Sequence, residues 1–252
     1  TKGIQPIVVM DWADGMLLKE YISANIKESE ILIKLSVSFL NMVKQLHKKN
    51  ISHGDLQHGN ILVRSDGSLI LVDYDSMYVP ALDGYEEDIK GLKGYQHEAR
   101  WNNKFLTPKA DFFSELVIYT SIVALAHFSH LWCDLNIENT DCLLFSEEDI
   151  KYPKTSSVFR LLESNGELAP LANKLKEFIT YSSIDCLQPL EDVVPKPIVE
   201  TISDKWSSNN GYIKAHEKSP SLNHVGNGWG KRPISNLGDS SIEISSTQNK
   251  WL

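Results

Sequence analysis

Apolar and polar positions alternate along the first two thirds of the chain in runs whose periods change from strand to helix and back. Ile7-Val8-Val9-Met10 is a continuous apolar run of strand length, followed by the polar Asp11-Trp12-Ala13-Asp14-Gly15 and then by a run from Met16 to Ala24 with helical spacing. Between Glu28 and Lys49, residues Ile31, Leu32, Leu35, Phe39, Leu40, Met42, Val43 and Leu46 fall on one face, which predicts a long amphipathic helix. Lys48 and Lys49 sit in its last turn, where cations favour the negative end of the helix dipole. Ile61-Leu62-Val63 and Leu69-Ile70-Leu71-Val72 flank Ser65-Asp66-Gly67-Ser68 and read as a β-hairpin with an Asp-Gly turn. Such a hairpin brings Asn60, just before one strand, close to Asp73, just after the other.

The stretch from Ser76 to about Pro108 is irregular and too long for a simple connector, and long ordered loops of this kind tend to be functional. Asp111 is then placed to cap a helix from Phe112 to about Phe128, apolar almost all round through Leu116, Val117, Ile118, Tyr119, Ile122, Val123 and Leu125. A helix apolar on every side is buried, so it is expected at the centre of the domain. Weaker helical patterns cover Ser157 to Leu162 and Leu168 to Tyr181, and Leu187 to Val194 closes the globular part. Beyond Pro195 the composition turns to Ser, Asn, Gly and Lys, so 196–252 reads as a flexible polar tail with Trp206, Trp229 and Trp251 as incidental aromatics. The predicted fold class is mostly α (α+β overall), with a small hairpin at one edge.

The net charge of -8 excludes a general electrostatic attraction to nucleic acid or to an anionic membrane surface, so neither is expected as a partner. Three cysteines, an odd number without a CxxC pair, argue against a disulfide framework and for a reducing, cytoplasmic setting. No apolar run reaches the roughly 18 residues of a spanning helix. The chain opens on Thr1-Lys2-Gly3 and enters a strand at once, which predicts no signal peptide and suggests a piece of a longer protein.

The chemistry concentrates in His53-Gly54-Asp55-Leu56-Gln57-His58-Gly59-Asn60, between the long helix and the hairpin. A carboxylate followed five residues later by a carboxamide, with a second carboxylate brought near by the hairpin, suits a site that aims a hydroxyl at a metal-bound phosphate. Taken singly, Asp55 is a turn or cap residue, Asn60 a turn former and Asp73 a strand-end cap; taken together the spacing favours catalysis. His127, His130 and Cys133 lack a fourth ligand and read as packing residues. Arg100, Trp101, Lys104 and Phe105 read equally as a substrate surface or as a solvated segment end.

These residues resemble the C-terminal lobe of the protein-kinase-like superfamily. His53 to Asn60 looks like the catalytic loop, and Asp73-Tyr74-Asp75 stands where the magnesium-binding Asp-Phe-Gly would be. Val9 to Gly15 resembles the gatekeeper and hinge, Gly91 to Arg100 the end of the activation segment, and Asp111 to Tyr119 the start of the buried helix that follows. The resemblance divides the chain into the end of an N-lobe and hinge at 1–15, a kinase-like C-lobe at 16–195 and the tail. It implies ATP and Mg²⁺ as cofactors. Asp55 would accept or orient the hydroxyl proton, while Asn60 and Asp73 would hold Mg²⁺ and thereby the nucleotide. Met10 would lie behind the adenine, with the backbones of Asp11 and Ala13 at its edge, and His53, Asp75 and Asp111 would give structural support.

Three departures shape the expected function. Gly54 replaces the usual arginine, which normally pairs with a phosphate on the activation segment, so activation by that route is not expected. Gln57 takes the catalytic-loop place of a lysine that contacts the transferring phosphate, with His58 as a partial substitute or a loop residue. No glycine-rich strand pair, strand lysine or partner glutamate precedes Thr1, so the chain alone is expected to bind ATP poorly. The first expectation is a partial protein Ser/Thr kinase domain. The alternatives are a small-molecule phosphotransferase of the aminoglycoside or choline kinase type, which also carries His-Gly-Asp, and a pseudokinase scaffold.

Overall fold

The computed structural model describes residues 11–195. The predicted strand at Ile7 to Met10, including Met10 itself, and the tail 196–252 lie outside them. About half of the described residues are helical, and one small antiparallel sheet sits at an edge.

The sheet contains β1 (Met16–Leu17), β2 (Ile61–Val63) and β3 (Leu69–Leu71) in the order β1-β2-β3. The predicted hairpin is β2 and β3, with Ile61 opposite Leu71 and Val63 opposite Leu69. Met16 and Leu17, expected to begin a helix, instead form β1 by pairing with Val63 and Leu62. Helix α1 therefore starts later, at Leu18, and runs to Ala24. A tertiary partner that satisfies two backbone groups outweighs the weak helical preference of a two-residue stretch.

Helix α2 (Ser29–Lys48) buries Leu32, Leu35, Phe39, Leu40 and Val43, the stripe its period predicts. It lies along α3 (Phe112–His127), in which every residue from Phe113 to Ala126 is buried. The chain then makes α4 (Leu131–Asp134), α5 (Glu147–Lys151), α6 (Ser157–Glu163), α7 (Ala169–Ile179) and α8 (Leu190–Val193). With α2, helices α7 and α8 also pack on α3, so its apolar side chains meet protein on several sides. Each fully buried Leu, Ile, Val or Phe there contributes about 1.5–3 kcal/mol.

A polar cluster crosses this apolar junction. Nε2 of His47, at the end of α2, lies 2.8 Å from Glu115 Oε1 on α3, and Nδ1 lies 2.8 Å from Glu191 Oε2 on α8. Burial alone would lower the His47 pKa, but the hydrogen bonds and charges of Glu115 and Glu191 overcome it and raise it to about 9. Burial pushes Glu115 up to about 7 despite that histidine. Both shifts favour keeping a proton in the cluster.

Two further expectations change. Asp111 precedes α3 but its side chain makes no cap; its carboxylate turns to the loop at His53. His127, His130 and Cys133 are exposed rather than packed, and no metal-suited group of three or more His, Cys, Asp or Glu occurs among the described residues. Among the same residues no helix is long and apolar enough to cross a membrane.

Candidate active site

Helix α2 delivers the chain to Ser52, which pairs with Tyr78 in an isolated antiparallel bridge. The next two residues are held from below. Both oxygens of the buried Asp111 carboxylate accept backbone hydrogens, one from His53 and one from Gly54 at 2.9 Å. Burial raises the Asp111 pKa, opposed by the charges of Arg100 and His53 and by these two bonds. His53 is itself buried: Nε2–H donates to the Val72 carbonyl at 2.9 Å and Nδ1 accepts the Asp55 N–H at 3.3 Å. The imidazole thus joins the loop to the end of the hairpin.

Gly54 has φ +82°, and a Cβ built there would lie 2.0 Å from the Ser76 carbonyl oxygen. No other side chain fits. The missing arginine is therefore a consequence of the close approach of two backbones.

The three residues with candidate chemistry converge. Asp55 Oδ2 accepts from Asn60 Nδ2 at 3.1 Å, and the same amide donates to the Asp55 carbonyl at 2.8 Å. This leaves the Asn60 side-chain oxygen without a partner among the described residues. Val72 N–H donates to the Asn60 carbonyl at 3.0 Å, so Asp73 emerges directly beside Asn60. Asp73 has φ +64°, a left-handed conformation that Asp tolerates better than most residues, and its exposed carboxylate has no partner among the described residues. One carboxylate and one amide oxygen, both hard donors, suit Mg²⁺, which takes few protein ligands and completes its shell with phosphate oxygens and water.

The neighbouring residues are placed as follows. Gln57 Oε1 accepts the Gly59 N–H at 2.8 Å, capping the tight turn at His58–Asn60, and its NH₂ has no partner among the described residues. Tyr95 hydroxyl accepts the Leu143 N–H at 3.0 Å and donates to His58 Nδ1 at 2.7 Å. Burial, aided by Lys19 and opposed by Asp141, lowers His58 to about 4. His58 is accordingly neutral at physiological pH and supplies no cation in place of the absent lysine. Asp75 is exposed. Asp11 and Ala13 precede β1, and neither backbone hydrogen-bonds within the described residues.

The irregular segment after Asp75 carries contacts that the sequence did not reveal. Glu87 N–H donates to the Lys104 carbonyl and Leu106 N–H to the Tyr85 carbonyl, each at 2.9 Å, so the two ends of the segment form a narrow ribbon. Arg100, expected near the surface, is fully buried and pairs with Glu87 and with the Gln96 side-chain oxygen; Lys90 also meets Glu87, at 2.6 Å. The segment reaches the candidate base directly, because Leu92 N–H donates to Asp55 Oδ1 at 2.9 Å. The sequence marked Gly91 to Arg100 as a segment end but not these pairings, since turns advertise themselves and ion-pair partners in irregular chain do not.

A family model described as the ABC1 atypical kinase-like domain matches residues 4–81, the part that contains α1, α2, the catalytic-loop candidate and the hairpin. The mitosis inhibitor protein kinase SWE1 of Candida albicans is 31% identical over 121 residues, 46% of this chain and 10% of that protein. The probable serine/threonine-protein kinase PknB of Lactococcus lactis is 34% identical over 71 residues, 28% of this chain and 11% of its own. The serine/threonine-protein kinase ste20 of Emericella nidulans is 31% identical over 72 residues, 29% of this chain and 8% of its own. The chain thus spans about a tenth of the length of these relatives. The matched domain and the kinase relatives together support a protein-kinase-like superfamily for this chain.

Proposed function

We propose that the chain is the C-lobe wall of an ATP- and Mg²⁺-dependent phosphotransferase whose acceptor is a Ser or Thr hydroxyl of a protein. The observation that carries this reading is the junction of Asp55, Asn60 and Asp73: the Asn60 amide fixes Asp55, and the adjacent ladder position brings Asp73 alongside. The attacking hydroxyl oxygen forms its bond to the γ-phosphorus as the bond to ADP breaks, and Asp55 receives or orients the hydroxyl proton. The Asn60 oxygen and the Asp73 carboxylate would hold Mg²⁺. When bound, the metal offsets negative charge on the phosphates. Gln57 offers a neutral donor where a lysine would offer a cation, and the backbones of Asp11 and Ala13 would meet the edge of the adenine. His53 and Asp111 keep the loop in place.

Incubating the full-length protein with γ-labelled ATP and Mg²⁺ tests this. The expected result is labelled protein, reduced about 10²–10⁴-fold by Asp55→Asn. Label on small alcohols or aminoglycosides without protein labelling selects a small-molecule acceptor. Absence of transfer to either acceptor, with Asp55→Asn indistinguishable from wild type, overturns the enzymatic reading in favour of a binding module.

A further inference from the structure

We propose that Gln96 is a positioning residue for the Asp55 carboxylate, acting through its side-chain NH₂ across the bare backbone of Gly91. The proposal rests on the phosphotransfer reading, which gives Asp55 its role.

The orientation of the Gln96 amide follows from its neighbour. Arg100 is donor-only, so the Gln96 atom facing its Nη1 is the oxygen, and the NH₂ points the other way. That nitrogen is buried and has no hydrogen-bond partner among the described residues, an arrangement proteins rarely leave in place. What lies beside it can be read from Gly91. A Cβ built on Gly91 would stand 2.9 Å from Gln96 Nε2 and 2.5 Å from Asp55 Oδ1. The donor and the carboxylate therefore converge on the space that any larger residue would fill, and the φ of +78° at Gly91 disfavours such a residue independently.

Asp55 has capacity for this donor. An ionised carboxylate has about four lone-pair sites, and the described residues use two, through Leu92 N–H and Asn60 Nδ2. Arg100 accounts for the Gln96 oxygen, and what remains to be explained is the buried NH₂ on its other side. The rest of the segment serves to hold it. Arg100, fully buried, pairs with Glu87, and Lys90 pairs with the other Glu87 oxygen, so an ionic cluster inside one loop fixes the Gln96 oxygen and aims its nitrogen. No phosphate is needed for this order, which fits a loop whose Gly54 has no room for an arginine. The carboxylate is thereby gripped by Leu92 and Asn60 and steadied by Gln96, with a remaining lone pair left for the acceptor hydroxyl.

Gln96→Glu keeps the side-chain shape and an oxygen for Arg100 and replaces the donor beside Asp55 with an acidic oxygen. The expected result in the full-length protein is kcat lower by about 10- to 100-fold, with KM for ATP and the melting temperature close to wild type. Turnover equal to wild type in a folded Gln96→Glu protein overturns the proposal. A second measurement does not need activity or a folded Gln96 variant. With ¹⁵N-glutamine labelling, the Gln96 NH₂ resonances are expected to shift and exchange faster with water in Asp55→Ala, and unchanged resonances overturn the proposal. A wild-type protein without phosphotransfer defeats the functional reading, and the resonance measurement then still decides whether Gln96 addresses Asp55.

Discussion

Asp111 and Gly54 are joined by a 2.9 Å hydrogen bond from the Gly54 N–H to the Asp111 carboxylate across 57 positions of sequence, beside a second bond from His53 N–H. The first turn of the central helix α3 is thereby tied to the backbone of the candidate catalytic loop. Asp111→Ala leaves two buried N–H groups unpaired and is expected to cost about 2–5 kcal/mol. Urea denaturation measures the loss, and a variant within 0.5 kcal/mol of wild type, about the size of an ordinary surface effect, would show that the tie carries little.

Gly54 sits where backbone meets backbone. Gly54→Ala places a Cβ 2.0 Å from the Ser76 carbonyl and forces an alanine into the left-handed region. The expected cost is about 3 kcal/mol or more, from strain and overpacking together. Gly54→Arg, which creates the usual His-Arg-Asp, is expected to be at least as damaging. Thermal melts of the two variants check this, and a melting temperature equal to wild type for either contradicts the close approach.

The His47 cluster makes stability depend on alkaline pH. Its folded pKa of about 9 lies above the ordinary 6.5, so its contribution is fully present below about pH 6.5 and fades as pH rises through 9. The raised Glu115 works in the same direction at lower pH, since its folded form also retains a proton. The urea midpoint of the wild-type protein is expected to fall between pH 7 and 9, by about 2–3 kcal/mol in unfolding free energy. His47→Gln should be less stable at pH 7 and lose most of that slope. Equal slopes in the two proteins would place the pH dependence elsewhere.

Much of the fold could be read from residue order. The α2 stripe, the all-round apolar α3 and the two strands about Asp66-Gly67 carry their own periods, and a hairpin needs only local pairing to bring Asn60 to Asp73. Met16 and Leu17 could not be read that way, because their strand exists only by virtue of Leu62 and Val63. Arg100 was misread for a similar reason. A charged residue in irregular chain looks solvated until a partner such as Glu87, 13 positions away, is brought to it inside the protein.

The sequence by itself determined the long helices α2 and α3, the weaker α6 and α7, the hairpin and the spacing of Asp55, Asn60 and Asp73, all of which rest on local pattern along the chain. Only the tertiary structure decided that Gly54 faces Ser76, that Leu92 donates to Asp55 from 37 positions away, and that Asp111, which the resemblance gives a supporting role, turns its carboxylate to the loop without capping its own helix. Periodicity is a local property that composition can record. Which buried donor meets which buried acceptor is settled by the packing of distant segments, where each polar group must find a partner or remain unpaired.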